Sequence, residues 1–101
     1  MIHDFSALYD AYPDIIAQMP DVFTSHEYIL QMAQRHQRLY VEALYSYRDS
    51  LRRGEPTPFM VVHRLLSQHL RDRPDLVTYL GEVRSEDIFR QPSKCPQWRK
   101  C

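Results

Sequence analysis

The sequence predicts a mainly α domain, a helical core closed by a short C-terminal β-hairpin. Three observations carry that expectation. Apolar residues recur at helical spacing from Phe5 to Leu70. The chain has two glycines in 101 residues, so tight turns are few and regular elements long. Strand-forming residues gather only after Pro74, in Leu76-Val77-Thr78-Tyr79-Leu80.

The first element spans Asp4 to Met19. Phe5, Leu8, Tyr9, Tyr12, Ile15, Ile16 and Met19 mark one apolar face, and Asp4, Asp10 and Asp14 mark the other. Asp4 suits an N-cap. Pro13 removes a backbone donor and predicts a kink or two short helices. Thr24-Ser25-His26-Glu27 then reads as a capping box, with Phe23 stapled on Tyr28. From Ser25 to Arg53 neither glycine nor proline occurs. Ile29, Met32, Ala33, His36, Tyr40, Ala43, Leu44, Tyr47 and Leu51 keep helical phase throughout. One long helix fits, and so do two helices broken in the polar stretch Gln34–Arg38. Gly54 offers a C-terminal stop.

Thr57 and Pro58 open the next helix as N-cap and first helical residue, and it runs to Arg71. Phe59, Val62, Leu66 and Leu70 form its inner face, with His63 beside them. Beyond Pro74, Leu76–Val83 reads as a strand, with Gly81 marking a bulge or a close approach. Arg84 to Ser93 reads as a polar loop. Within it, Ser85-Glu86-Asp87 forms a short helical turn, capped by Ser85, that seats Ile88 and Phe89 on the core. Trp98 lies in a second short strand within Cys95–Cys101. The chain is thus one domain over 1–101. An acidic amphipathic helix covers 1–20, a helical core 24–74, and the strand, loop and tail 75–101.

Composition excludes several classes. Hydrophobic residues at 44% and charged residues at 26% are globular proportions, which excludes bulk disorder. No apolar run approaches the ~18 residues of a membrane helix. Met1 to Ala11 carries no Lys or Arg and no uninterrupted apolar stretch, so no secretory signal is expected. Cys95 and Cys101 make a poor disulfide framework, and a reducing cytoplasmic location follows. Gly54 and Gly81 stand too far apart for a phosphate-cradling loop.

Helices followed by strand, polar loop and strand resemble a winged helix-turn-helix domain across Thr24 to Lys100. The resemblance lies in element order, not in a motif. It implies that Thr57–Arg71 is the recognition helix and Arg84–Lys94 the wing. It also implies a double-stranded DNA partner. The chain departs from that pattern in its long Gln37–Arg53 helix and in a wing without a glycine turn.

On the Thr57–Arg71 helix, Met60, Arg64, Ser67, Gln68 and Arg71 form one outward stripe. Arg and Gln are side chains that read guanine and adenine edges. The same residues also suit an ordinary solvated face. Expected nucleic-acid contacts are Thr57, Met60, Arg64, Gln68, Arg71, Arg84, Arg90 and Lys94. The formal net charge of +0 hides a split. Residues 1–30 hold five acids and no Lys or Arg, a balance of −5, against thirteen bases and eight acids beyond them, a balance of +5. Eleven of those bases are Arg, suited to phosphate.

A second reading needs no nucleic acid. Leu39, Val41 and Tyr45 form a second apolar face on their helix, and a 101-residue domain has few partners to bury it. With Tyr9 and Tyr12 they predict a homodimer interface. Enzyme chemistry finds no support. His63 and His69 lie six apart, as do Cys95 and Cys101, outside usual zinc-ligand spacing. Nothing near Cys95 suggests an oxyanion loop. No catalytic residue, cofactor or metal is expected.

Overall fold

The computed structural model describes residues 4–48 and 57–101. Its elements in chain order are α1 (Ser6–Asp10), α2 (Tyr12–Gln18), β1 (Val22–Thr24), α3 (Ser25–Arg35), α4 (Gln37–Ser46), α5 (Pro58–Arg71), β2 (Val77–Glu86) and β3 (Pro92–Lys100). Of the described residues, 52% are helical and 24% lie in strands. The fold is therefore α+β and not mainly α. A three-stranded antiparallel sheet of order β1-β3-β2 packs against the helices. Two features hid it. β1 is only three residues long and runs straight into a helix cap. The hairpin strands also continue through residues too polar to show alternation.

The expected Asp4–Met19 helix is two helices that meet at Ala11. Pro13 sits in the first turn of α2, where a missing N–H leaves no partner unpaired. The N-cap of α1 is Phe5 and not the expected Asp4, whose Oδ1 still accepts from the Ser6 amide at 2.9 Å. The capping box closes on both sides: Glu27 N–H donates to Thr24 Oγ1 at 3.1 Å, and Thr24 N–H to Glu27 Oε1 at 2.9 Å. Phe23 lies against Tyr28 with ring centroids 6.0 Å apart. The long stretch from Ser25 breaks at His36 (φ −127°, ψ 54°), within the polar segment, to give α3 and α4. Leu51 and Gly54 lie outside the described residues.

Thr57 caps α5, accepting from the Met60 amide at 3.4 Å. The inner face of α5 is Val61, Val62, Leu66 and Leu70. Phe59 is not part of it: this residue sits in the first turn, beyond the edge of the core, and is 41% exposed.

Trp98 is the hub of the core, 1% exposed, paired with Phe23 on β1 and Tyr79 on β2. Its Nε1–H donates to Ser25 Oγ at 2.8 Å, and that hydroxyl meets Ser67 Oγ at 2.7 Å. One polar chain thus ties β3 to the first residue of α3 and to the middle of α5. Gly81 (φ +117°) takes the bulge: the register steps from Tyr79↔Trp98 to Gly81↔Gln97, leaving Leu80 as the extra residue.

The expected helical turn at Ser85 does not form. Ser85 and Glu86 are strand residues opposite Ser93 and Pro92. The loop is shorter, residues 87–91, and is organised by Asp87. Its Oδ1 accepts from the amides of Phe89 (2.8 Å) and Gln91 (2.9 Å). That side chain closes a glycine-free turn, with Arg90 taking the left-handed conformation at φ 64°.

Ser25→Ala strands the buried Trp98 N–H without an acceptor. It should cost about 1–3 kcal/mol, read as a fall in thermal midpoint. Thr24→Ala should cost about 1 kcal/mol by the same measurement.

Candidate nucleic-acid interface

A groove of about 430 Å³ runs between α5 and β3. Arg64, Gln68 and Arg71 line it from α5, Lys94 from β3, and Ser25 and His26 from the start of α3. The helical period turns Met60, Arg64, Gln68 and Arg71 away from Val62, Leu66 and Leu70, and all four are exposed. Ser67, expected on the same stripe, turns inward to Ser25.

Two local arrangements shape the charge. Arg71 Nη2 lies 3.7 Å from Glu82 Oε1, with its guanidinium 4.7 Å above the Tyr79 ring centroid. Both partners of that ion pair are about half exposed, so it contributes little stability and an incoming anion can compete for Arg71. Arg84 and Lys94 are directly opposite each other across the hairpin. Facing like charges are mildly destabilising in a strand pair, and an anion bound beside them relieves the repulsion. Arg90 sits apart at the loop tip.

The acidic N-terminal helices stand clear of this groove. Among the described residues that line it, none comes from α1 or α2. They pack on the far side of α5 instead. The Tyr9 ring stacks on His69 at 3.7 Å between centroids, and Tyr12 meets the same imidazole edge-on at 4.7 Å. Tyr12 is fully buried, and its hydroxyl donates to the Leu66 carbonyl. Tyr12 is therefore closed to a dimer interface, because its ring serves this chain's own core, and Tyr9 is half-buried against that core. Leu39 is half-buried against that core. Val41 (58%) and Tyr45 (64%) are exposed on α4, with Arg48 stacked over the Tyr45 ring at 4.1 Å.

A second cavity of about 350 Å³ adjoins the groove and shares His26 and His63 with it. Thr57, Phe59, Met60, Asp87 and Phe89 complete its lining. Thr57 and Met60 thus belong here and not among the groove cations. Phe59 and Phe89 meet edge to face at 4.8 Å. His63 lies beneath them, with Tyr40 Oη hydrogen-bonded to its Nε2. Burial pushes the His63 imidazole down to about 4, Asp87 offsetting this in part and His26 adding to it. Burial also pushes the Tyr40 hydroxyl up to about 12, so it stays protonated. Asp87 is held below the usual carboxylate range by the Gln91 and Phe89 amides.

Among the described residues, no three His, Cys, Asp or Glu side chains gather so as to hold a metal ion. No helix there is long and apolar enough to cross a membrane. The chain matches no protein-family model, no curated protein and no solved structure in the comparisons made.

Sequence reasoning missed His26, Phe59, Asp87 and Phe89 as a group. Asp87 carried a usable signal, since Asp with no nearby glycine is a turn former that bonds amides two and four residues on. Phe59 and Phe89 carried none, because an exposed aromatic reads like a core aromatic.

His63 generates a pH prediction. Its folded value lies below the ordinary ~6.5, so the neutral ring's contribution is whole above that pH. It is lost as pH falls from about 6.5 towards 4, because the unfolded chain takes up the proton first. The thermal midpoint should drop across that window, and His63→Gln should drop less.

Proposed function

We propose that this chain is a small non-enzymatic DNA-binding domain of winged-helix-like design, acting as a transcriptional regulator on double-stranded DNA. One observation carries the reading: Arg64, Gln68 and Arg71 from α5 share a single groove with Lys94 from β3. Phosphates of one strand would lie along that groove, held by Arg71, Lys94 and the neighbouring Arg84. Arg64 and Gln68, on the exposed stripe of α5, would reach base edges. Arg90 at the loop tip would add a backbone contact. The order of elements supports this, since α5 runs almost directly into the hairpin. Cytoplasmic conditions suit Cys95 and Cys101, both free thiols.

At low salt the protein should bind mixed-sequence duplex, with affinity falling steeply as salt rises. Arg71→Ala and Lys94→Ala should each flatten that salt dependence by about one phosphate's worth. Arg64→Ala should cost about 1–3 kcal/mol and reduce discrimination between sites. Absence of duplex binding at low salt overturns the reading.

A second reading is favoured by Val41 and Tyr45, exposed one turn apart on α4. In it the chain is a helical interaction module that forms a homodimer through this face. Light scattering should then show a dimer that Val41→Glu splits, and a monomer at high concentration excludes it.

A further inference from the structure

The cavity beside the groove has a different chemistry from the groove itself. Its walls are the exposed rings of Phe59 and Phe89 with the exposed side chain of Met60. Its charged group is Asp87, an anion fixed in place by the loop amides. Two half-buried imidazoles, His26 and His63, also line it, and His63 is engaged with Tyr40. Phosphate is repelled from such a site, while a flat neutral ring is welcome. Yet it opens beside Arg64 and Lys94, and His26 and His63 line both spaces. A chain whose phosphates lie among those cations would carry its bases past the two phenylalanines.

We infer that the Phe59–Phe89 cavity receives an unpaired nucleobase, so that the protein prefers duplex DNA carrying a short single-stranded tail over blunt duplex. This rests on the DNA reading above and extends it to the structure of the partner. Stacking on an aromatic ring is tolerant of base identity, because every base has a π-face. Asp87 supplies an acceptor at the rim for the amino group of adenine, cytosine or guanine. The groove accounts for affinity to duplex, and the cavity for choosing where on the duplex the protein sits.

Fluorescence anisotropy at fixed low salt tests this with three DNAs. One is a blunt duplex, one the same duplex with a short single-stranded tail on either strand, and one the tailed duplex with abasic tail residues. The abasic tail keeps the extra phosphates and removes the rings. The base-bearing tail should improve affinity about tenfold over both others. Phe59→Ala and Phe89→Ala should remove that gain and leave blunt-duplex affinity unchanged. Equal binding of base-bearing and abasic tails overturns the inference alone. Equal loss of blunt and tailed binding in the variants also overturns it, and assigns the two rings to anchoring the hairpin. Failure to bind any of the three overturns this inference and the DNA reading together.

Discussion

The buried indole N–H of Trp98 is the constraint on which the arrangement depends. A tryptophan 1% exposed must find an acceptor inside the protein, or lose a hydrogen bond's worth of free energy. The acceptor is Ser25 Oγ, and Ser25 is itself 1% exposed. Its place is set twice over. The capping box fixes the start of α3 immediately before it, and β1, the three residues preceding it, pairs with β3 so that Phe23 stands opposite Trp98. Ser25 then passes the constraint to Ser67 on α5. The spacing between α5 and β3, which is the width of the cationic groove, follows from two short hydrogen bonds in the core. Hydrogen bonds at the floor of the groove thus determine how far apart Arg64 and Lys94 stand.

The hairpin beyond that anchor is shaped by two other devices. Gly81 admits the bulge because its φ of +117° is one that residues with a Cβ rarely adopt; space is no obstacle there. Asp87 closes the far end by taking two loop amides on one oxygen. Between them the strands carry Arg84 beside Lys94, a pairing that stability alone disfavours. Lys100 secures the other end of β3, donating to the Ala17 and Met19 carbonyls at the close of α2. The hairpin is therefore held at its root by the core and at its tip by its own turn.

Legibility in the sequence divides along physical lines. Capping and proline rules act over three or four residues, so Thr24–Glu27, Thr57–Pro58 and the bulge at Gly81 were all readable. The outward stripe of α5 was readable for the same reason, except at Ser67, whose partner lies 42 residues away. Fold class was misjudged because β1 is stabilised by pairing with β3 from the opposite end of the chain, and no local pattern announces such a strand. Beyond Gly81 β2 alternates only between half-buried and exposed positions, and its residues are mostly polar, so no hydrophobic alternation marks the strand. Phe59 and Tyr12 were misplaced in opposite directions. Periodicity says which face of a helix is apolar, but not where along the helix the core ends.

The net charge of +0 gains its meaning from this geometry. An acidic N-terminal segment laid over the basic surface would neutralise it and leave no free polyanion site. The segment is seated by Leu8, Ile15 and Ile16 in the core and by Tyr9 and Tyr12 against His69, on the side of α5 facing away from Arg64 and Arg71. Burial lowers the His69 imidazole from its ordinary value, which favours the neutral ring in the stack. Arg64, Arg71 and Lys94 stay exposed on the other side.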